Sequence, residues 1–247
     1  MTPQRISIEL TNQCSKHCHF CYNHSHHLGE TRWQADELVD FIKDCAKSGT
    51  KAVSFGGGEP LEYPNLFEVL SELQGVLFRS ITSNGLHLHG DLLEKLVIAN
   101  PDKVHLSIHY PEQKEEVKRV INQVKLLDSL GIRSGINLLV PQSKLQVATQ
   151  TSQMILEAGI NRERIVYLPM RKMDTPTPQE MATVAGGKPF QSMTCLMQCG
   201  ISSRFCSIAW DKTVAWCSYT VSRRSLPSLT AVSLDAILQN LPLVFCG

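Results

Sequence analysis

Six short apolar runs rich in β-branched residues recur along the first 170 residues and predict β-strands. Helical periodicity fills the segments between them, most clearly at Glu115–Leu130, which Gly131 ends. This alternation predicts parallel strands joined by right-handed crossovers. The predicted strands are Ile6–Leu10, Lys51–Phe55, Leu77–Thr82, Lys103–Ile108, Ile132–Val140 and Arg164–Leu168; further helices are predicted around Leu38, Ile42, Cys45 and Ala46, at Asp91–Ala99, and at Gln150–Ala158 before Gly159.

Six strand–helix units are too few for the common eight-unit barrel. The pattern fits either a curved, partly open barrel or a doubly wound sheet, and both bind ligands beyond the carboxyl ends of the strands. A stretch rich in Pro, Thr and Gly at residues 171–190 is predicted as a linker or loop. We therefore expect a first domain at residues 1–170 and a small cysteine-rich module at residues 191–247.

That module is predicted to contain a β-hairpin. Arg204–Trp210 and Thr213–Cys217 would form its strands, with Asp211 and Lys212 as a two-residue turn. This register places Cys206 directly opposite Cys217, about 5 Å apart between Cβ atoms. Two thiols at that separation suit one metal cluster.

Composition excludes several classes of protein. The 247 residues carry 24 Lys plus Arg against 23 Asp plus Glu, so no chain-wide field favours nucleic acid or an anionic membrane. Apolar residues make up 43%, enough for a buried core. The first residues lack the apolar segment of a signal peptide, and no run approaches a membrane span. We expect a cytoplasmic protein that binds neither nucleic acid nor membrane.

The chain has nine cysteines, which is many and an odd number. Secreted disulfide scaffolds are usually far shorter, so these thiols are predicted to bind metal or to react in a reducing compartment. Cys14, Cys18 and Cys21 have the spacing C-x3-C-x2-C directly after the first strand. Three thiolates on so short a loop can bind one iron–sulfur cube and leave its fourth iron open. The alternative is zinc, with a fourth ligand from His17, His19, His24, His26 or His27.

Polar or flexible residues follow all six predicted strands. Because the carboxyl ends of parallel strands share one edge, these residues predict a single pocket. Glycines there let the backbone approach a ligand closely, and their amides can point into the pocket. The residues are Gly56, Gly57, Gly58 and Glu59 after the second strand, Thr82–Gly85 after the third, Ser107 and His109, Asn137 and Val140, and Tyr167 and Arg171.

The cysteine loop, with an aromatic residue before its last Cys, the Gly-Gly-Glu motif and the Thr-Ser-Asn-Gly turn together resemble the radical S-adenosylmethionine (SAM) enzyme superfamily. The resemblance covers about residues 4–170 and implies an α/β fold, a partial (β/α)6 barrel of parallel strands. It implies that Cys14, Cys18 and Cys21 bind a [4Fe-4S] cluster whose open iron is chelated by SAM.

The resemblance also implies the remaining SAM contacts. Gly57, Gly58 and Glu59 would hold the methionine ammonium, with Glu59 as its charge partner. Ser107 and Asn84 would approach the ribose or the carboxylate, and the adenine would lie near Phe20, Val140 and Tyr167. Many members carry Ser-Leu-Asp at the fourth strand, whereas this chain has Ser107-Ile108-His109. His109 is therefore a candidate substrate contact, and Arg171 is a candidate by its position after the sixth strand.

The C-terminal cysteines resemble the auxiliary-cluster modules, SPASM or the shorter twitch form, of the same superfamily. The resemblance implies a second iron–sulfur cluster bound by Cys199, Cys206, Cys217 and Cys246. Cys195 is a reserve ligand or a hydrogen-atom donor.

The implied activity is reductive cleavage of SAM to a 5′-deoxyadenosyl radical, which abstracts a hydrogen atom from a peptide that is matured, crosslinked or epimerised. A small-molecule dehydrogenase or epimerase of the aminocyclitol or sugar type is the alternative within the superfamily. A zinc-binding interaction protein is the alternative of another class. Flavodoxin or ferredoxin is the expected electron donor.

Overall fold

The computed structural model describes residues 2–187, 193–197 and 199–244. Its strands are β1 (Arg5–Glu9), β2 (Ala52–Gly56), β3 (Phe78–Ser83), β4 (Lys103–Ile108), β5 (Ser134–Val140), β6 (Ile165–Pro169), β7 (Phe205–Ile208), β8 (Thr213–Ala215) and β9 (Arg224–Ser225). Its α-helices are α1 (Ala35–Lys47), α2 (Leu66–Glu72), α3 (Gly90–Ala99), α4 (Lys114–Ser129), α5 (Leu145–Glu157), α6 (Pro178–Val184), α7 (Met193–Met197) and α8 (Ala231–Gln239). All six predicted strands are confirmed, β4 with its predicted bounds and the others within two residues.

The described chain forms two compact units. One contains the residues up to Lys103 and those from Ile201 onward, and the other contains Val104–Gly200. The predicted domain boundaries at residues 170 and 190 are a different division and stay predictions. No helix in the part of the chain that the structure describes is long and apolar enough to cross a bilayer.

In the first unit the strands have the order β3-β2-β1-β7-β8-β9. β1 is the centre of a parallel group, because β2 and β7 both pair with it in parallel and β3 pairs in parallel with β2. One face of these strands is apolar and buried, as Ile6, Ile8 and Phe55 show. The other face carries a row of four serines in register, Ser207, Ser7, Ser54 and Ser80. The loop after Glu9 therefore leaves the middle of the carboxyl edge.

In the second unit β5 lies between β4 and β6, and both pairings are parallel. The apolar stripe predicted on α4 is confirmed, because all its members are buried. These residues are Val117, Val120, Ile121, Val124 and Leu127. Gly131 and Gly159 follow α4 and α5 with φ of 79° and 88°, as expected of glycines that end helices.

The hairpin is present, but the predicted register is wrong by one residue. Ser207 pairs with Ala215, so the same count places Cys206 opposite Trp216 rather than Cys217. The cause is a three-residue loop, in which Lys212 has a left-handed φ of 67° and Ala209 donates its N–H to Thr213 O at 2.8 Å. A shift of one residue moves a side chain to the other face of a strand.

Helix α6 lies within the stretch predicted as a linker, so that prediction is wrong for Pro178–Val184. The Thr177 hydroxyl accepts the Glu180 N–H, and the Glu180 carboxylate accepts the Thr177 N–H. This reciprocal capping, with Pro178 at the first helical position, stabilises a short helix in a sequence of weak apolar periodicity.

Thr177→Ala removes the hydroxyl that caps α6 and should destabilise the helix by about 1 kcal/mol. Thr183→Ala is the matched control, since Thr183 lies on the same helix and only bonds back to Gln179 O. Hydrogen exchange of the α6 amides measures both variants. Equal protection of α6 in the two variants would contradict the capping role.

Candidate active site and metal centre

Backbone hydrogen bonds shape the loop that carries the first three cysteines. Cys14 N–H donates to His26 O at 2.9 Å, and His26 N–H donates to Asn12 O at 3.0 Å, so the loop closes on itself beside β1. Cys21 N–H donates to Cys18 O at 3.1 Å in a tight turn. Cys14 is buried, whereas Cys18 and Cys21 are half-buried. Burial raises the pKa of the Cys14 thiol, and backbone hydrogen bonds from His17 and Lys16 lower it.

Within the described ranges, no three His, Cys, Asp or Glu side chains are grouped closely enough to hold a metal ion. Metal binding is coupled to the folding of the ligand loop, so bonds to the metal itself would complete this arrangement. The donor set fits iron and sulfide, because soft thiolates on a single short loop are the ligands of iron–sulfur clusters.

The Gly-Gly-Glu segment packs directly against the start of this loop. Gly58 N–H donates to Thr11 O at 2.6 Å, and Glu59 N–H donates to Gln13 O at 2.8 Å. The expectation that the glycine amides point into an open pocket is therefore wrong for Gly58. A Cβ at Gly58 would lie 2.0 Å from Gln13 O, so glycine is required by the close approach of the two backbones.

Glu59 is only 1% exposed and joins the ends of β2 and β3. Its carboxylate accepts the Ser83 hydroxyl at 2.7 Å, the Asn84 N–H at 2.8 Å and the Leu61 N–H at 3.0 Å. Burial raises the pKa of Glu59, and these three hydrogen bonds lower it. The carboxylate therefore anchors the turn after β3; its predicted role as partner of an ammonium group stays a prediction.

Asn84 connects that turn to the cysteine loop. Its side-chain nitrogen donates to Cys14 Sγ at 3.7 Å, and its side-chain oxygen accepts the Leu86 N–H at 2.8 Å. The predicted contact of Asn84 with SAM is not tested. The structure adds a role as a hydrogen-bond donor to the first cysteine sulfur.

Three further residues, which the sequence analysis missed, attach the loop to the same turn. Ser15 donates both its N–H and its hydroxyl to Glu62 Oε1, at 2.9 Å and 2.8 Å. His87 Nε2 lies 3.1 Å from the same oxygen. No motif marks these residues, because they are distant in sequence and the contacts need the folded loop.

In the second unit, Ser107 and Asn137 are neighbours in the register of β4 and β5 and are both buried. His105 Nδ1 lies 2.9 Å from Asn137 Oδ1 on the same face. His109 N–H donates to Glu116 Oε1 at 2.6 Å, which ties the β4 end to α4. The roles predicted for Ser107 and His109 stay predictions.

Val140 and Tyr167 lie on the opposite face from Asn137. Tyr167 pairs with Leu138 in the register, and its hydroxyl lies 2.7 Å from Ser152 Oγ on α5. Alternation puts Val140 on the same face as Leu138. The expectation that these two side chains form an adenine wall is therefore wrong, since both face the helix layer.

The C-terminal cysteines occupy different surroundings. Cys206 is buried and lies close enough to Cys45 of α1 for the two to interact electrostatically, and burial raises the pKa of its thiol. Cys217 is half-buried, and its sulfur accepts the Tyr219 N–H at 3.5 Å. Cys199 is exposed, and Cys246 lies outside the described residues. The argument that joined Cys206 to Cys217 across a ladder is therefore wrong; the ligand set stays a prediction.

Three other predicted site residues can be placed. Phe20 is half-buried in the cysteine loop, with its ring 4.9 Å from that of His19 in an edge-to-face arrangement. Arg171 Nη2 lies 3.0 Å from Cys195 Sγ. Nothing in these contacts tests the adenine, substrate or hydrogen-donor roles.

The parallel strands joined by helices, with a cysteine loop directly after β1, place the protein in the class of α/β proteins. Residues 8–138 match the model of the Radical SAM superfamily. The chain therefore belongs to that superfamily, which implies a [4Fe-4S] cluster and SAM. The membership also favours the enzyme over the alternative of a zinc-binding interaction protein.

Among curated relatives, the chain is 25% identical over 179 residues to the probable GTP 3′,8-cyclase of Methanocaldococcus jannaschii, covering 68% of this chain and 60% of that protein. It is also 25% identical over 198 residues to the GTP 3′,8-cyclase of Clostridium perfringens, covering 76% and 58%. The chain thus spans little more than half the length of these relatives.

Solved structures show the fold over more of the chain. Streptococcus suis SuiB bound to S-adenosylmethionine has a TM-score of 0.69 at 14% identity, covering 90% of this chain and 63% of that one. Native anSMEcpe with bound AdoMet has a TM-score of 0.69 at 15% identity, covering 96% and 81%. The predicted α/β fold with barrel-type parallel strands is confirmed.

Gly58→Ala should disturb the cysteine loop, because the new Cβ would overlap Gln13 O and such overpacking costs about 1–3 kcal/mol. We expect the reconstituted variant to lose most of its iron and sulfide. Gly56→Ala is the matched control, since a Cβ at Gly56 would have no atom within 4 Å. If the two variants bind equal iron, close packing of Gly58 is not needed for the metal centre.

Proposed function

We propose that this protein reductively cleaves SAM and uses the resulting radical to abstract a hydrogen atom from its substrate. When bound, the reduced cluster and SAM supply a 5′-deoxyadenosyl radical. The proposal is carried by one observation, the chain of contacts from Glu59 through Asn84 to Cys14. These contacts bring the three motifs of the superfamily together in one unit.

The residues of this chain have positioning roles in that reaction. Glu59 holds the turn after β3, and that turn places the Asn84 amide on the Cys14 sulfur. A hydrogen bond to a thiolate stabilises its charge and so favours the ligand form. Gly57 and Gly58 let the β2 end lie against the loop without side chains between them.

We infer that the substrate is a peptide. Support comes from the solved structures of similar fold, which include SuiB bound to the precursor peptide SuiA and anSMEcpe bound to AdoMet and a peptide. These cover 87% and 93% of this chain. A small-molecule substrate is the second candidate, because the curated relatives are named GTP 3′,8-cyclases.

We also infer a second iron–sulfur cluster, with Cys217 among its ligands and Cys199 and Cys246 as further predicted ligands. The half-buried position of Cys217 supports this. Cys206 is buried close to Cys45 of α1, and this position does not suit a ligand of the same cluster as Cys217. Flavodoxin or ferredoxin is the electron donor proposed for the reductive step.

Cys18→Ala removes one of three ligands of the SAM-binding cluster. After anaerobic reconstitution and reduction in the presence of SAM, we expect at least about a hundredfold less 5′-deoxyadenosine than from the unchanged protein, since loss of cluster chemistry leaves no alternative route. Chromatography of the quenched reaction measures it. Cys45→Ala, a buried thiol on α1, is the control and should retain release. Equal release from both variants would discard the proposal.

Cys217→Ala should halve the bound iron, from about eight to about four per chain, because one of two [4Fe-4S] clusters is lost. Cys206→Ala is the matched control and should retain about eight. Iron and sulfide analysis measures both variants. If Cys206→Ala loses as much iron as Cys217→Ala, then the thiol of Cys206 must reach the second cluster.

A further inference from the structure

Glu9 is the last residue of β1 and lies at the carboxyl edge where parallel strands bind their ligands. Alternation places it on the face opposite Ile8, with Ser7 rather than with the apolar core. It is nevertheless only 2% exposed. A buried carboxyl group on the ligand-binding edge is not explained by packing of the core.

Charged and polar groups surround this carboxyl group from the cysteine loop and from the C-terminal strands. The Tyr22 hydroxyl, directly after Cys21, donates a hydrogen bond to it. Arg223 is near enough to lower its pKa, and Asp211 in the hairpin loop is near enough to raise it. The Tyr22 ring also lies 4.9 Å from that of Tyr219.

One oxygen of this carboxyl group has no hydrogen-bond donor in the described part of the chain. That atom, Glu9 Oε1, is fully buried. Two nitrogens of the Arg223 guanidinium bond instead to Thr213, Nε to Oγ1 at 3.1 Å and Nη2 to the backbone oxygen at 3.4 Å. Burial outweighs the favourable interactions and raises the pKa of Glu9 to about 7.

A buried, half-satisfied carboxylate is unstable unless it gains a proton or a donor. A cationic N–H group would donate a hydrogen bond to Glu9 Oε1 and would also neutralise the charge of the carboxylate. Hydrogen bonds between charged groups are stronger than those between neutral groups. An anionic group, such as a phosphate, would be repelled. The site therefore selects for cationic nitrogen.

We propose that Glu9 binds a cationic nitrogen group of the substrate, an ammonium or a guanidinium, through Oε1, the oxygen that lacks a donor from the residues that the structure describes. This rests on the proposed function and narrows the substrate to one that carries such a group. An amine-bearing or guanidine-bearing peptide meets this requirement, and a nucleoside triphosphate bound by its phosphates does not.

The test follows the ionisation of Glu9 by difference infrared spectroscopy on the reconstituted holoprotein, with its Glu carboxyl carbons isotope-labelled. The Glu9 band is assigned by its loss in Glu9→Gln, with Glu72→Gln as control, an exposed carboxylate paired with Lys43. The probe is guanidinium chloride well below denaturing concentration. Urea is the neutral isostere, and sodium chloride matches the ionic strength.

We expect guanidinium to lower the pH midpoint of Glu9 ionisation by about one unit, since an adjacent opposite charge favours the carboxylate, and urea to leave it unchanged. Binding should strengthen as the pH rises through 7, because only the ionised form attracts the cation. Equal shifts with both probes, or no shift with either, overturn the proposal. The proposal is also overturned if SAM alone shifts the pH midpoint of Glu9 ionisation and guanidinium causes no further shift. That result would assign Glu9 to SAM binding. Release of 5′-deoxyadenosine by the same preparation tests the proposed function separately.

Discussion

The hydrogen bonds of the buried Glu59 carboxylate are the interaction on which the arrangement of the candidate site depends. It accepts three hydrogen bonds, one of them from the backbone of Asn84, whose side chain reaches Cys14. Because removing one partner of a buried charge exposes the full desolvation cost, this network favours a single arrangement of the β2 and β3 ends. Cys14 is thereby positioned by the ends of β2 and β3 as well as by the hydrogen bonds of its own loop.

The position of β1 explains why so many contacts meet on this loop. Since β1 lies between β2 and β7, the residues that follow it have neighbours on both sides. The Gly-Gly-Glu segment binds Thr11 and Gln13 from the β2 side. From the other side, Trp210 O of the hairpin loop accepts the Arg32 N–H. The C-terminal strands thus complete the support of the cysteine loop by extending the same sheet.

Periodicity and motif were enough to predict the strands, the α4 stripe and the cysteine loop, because each depends on residues close in sequence. Predictions that depended on side-chain direction were less successful. Tyr167 and Val140 were assigned to the pocket by their place at strand ends, but alternation within each strand turns them to the helices. Cys206 was misplaced because the left-handed Lys212 lengthens the hairpin loop by one residue. Residue type alone does not show on which face of the sheet Tyr167 and Val140 lie. It also does not show that Lys212 adopts a left-handed conformation.

Glu9 and Glu59 are both buried in the first compact unit, and they differ in their hydrogen bonds. What distinguishes them is whether each carboxylate oxygen has a donor from the chain. Burial raises the pKa of both Glu59 and Glu9. Glu59 has donors from the chain on both oxygens, so the folded chain already offsets the cost of burying it. Glu9 keeps one oxygen without a donor among the described residues, although a folded chain normally satisfies such an atom. A proton or a bound donor relieves this cost, and at the ligand-binding edge a cationic nitrogen relieves it most completely because it also supplies the opposite charge.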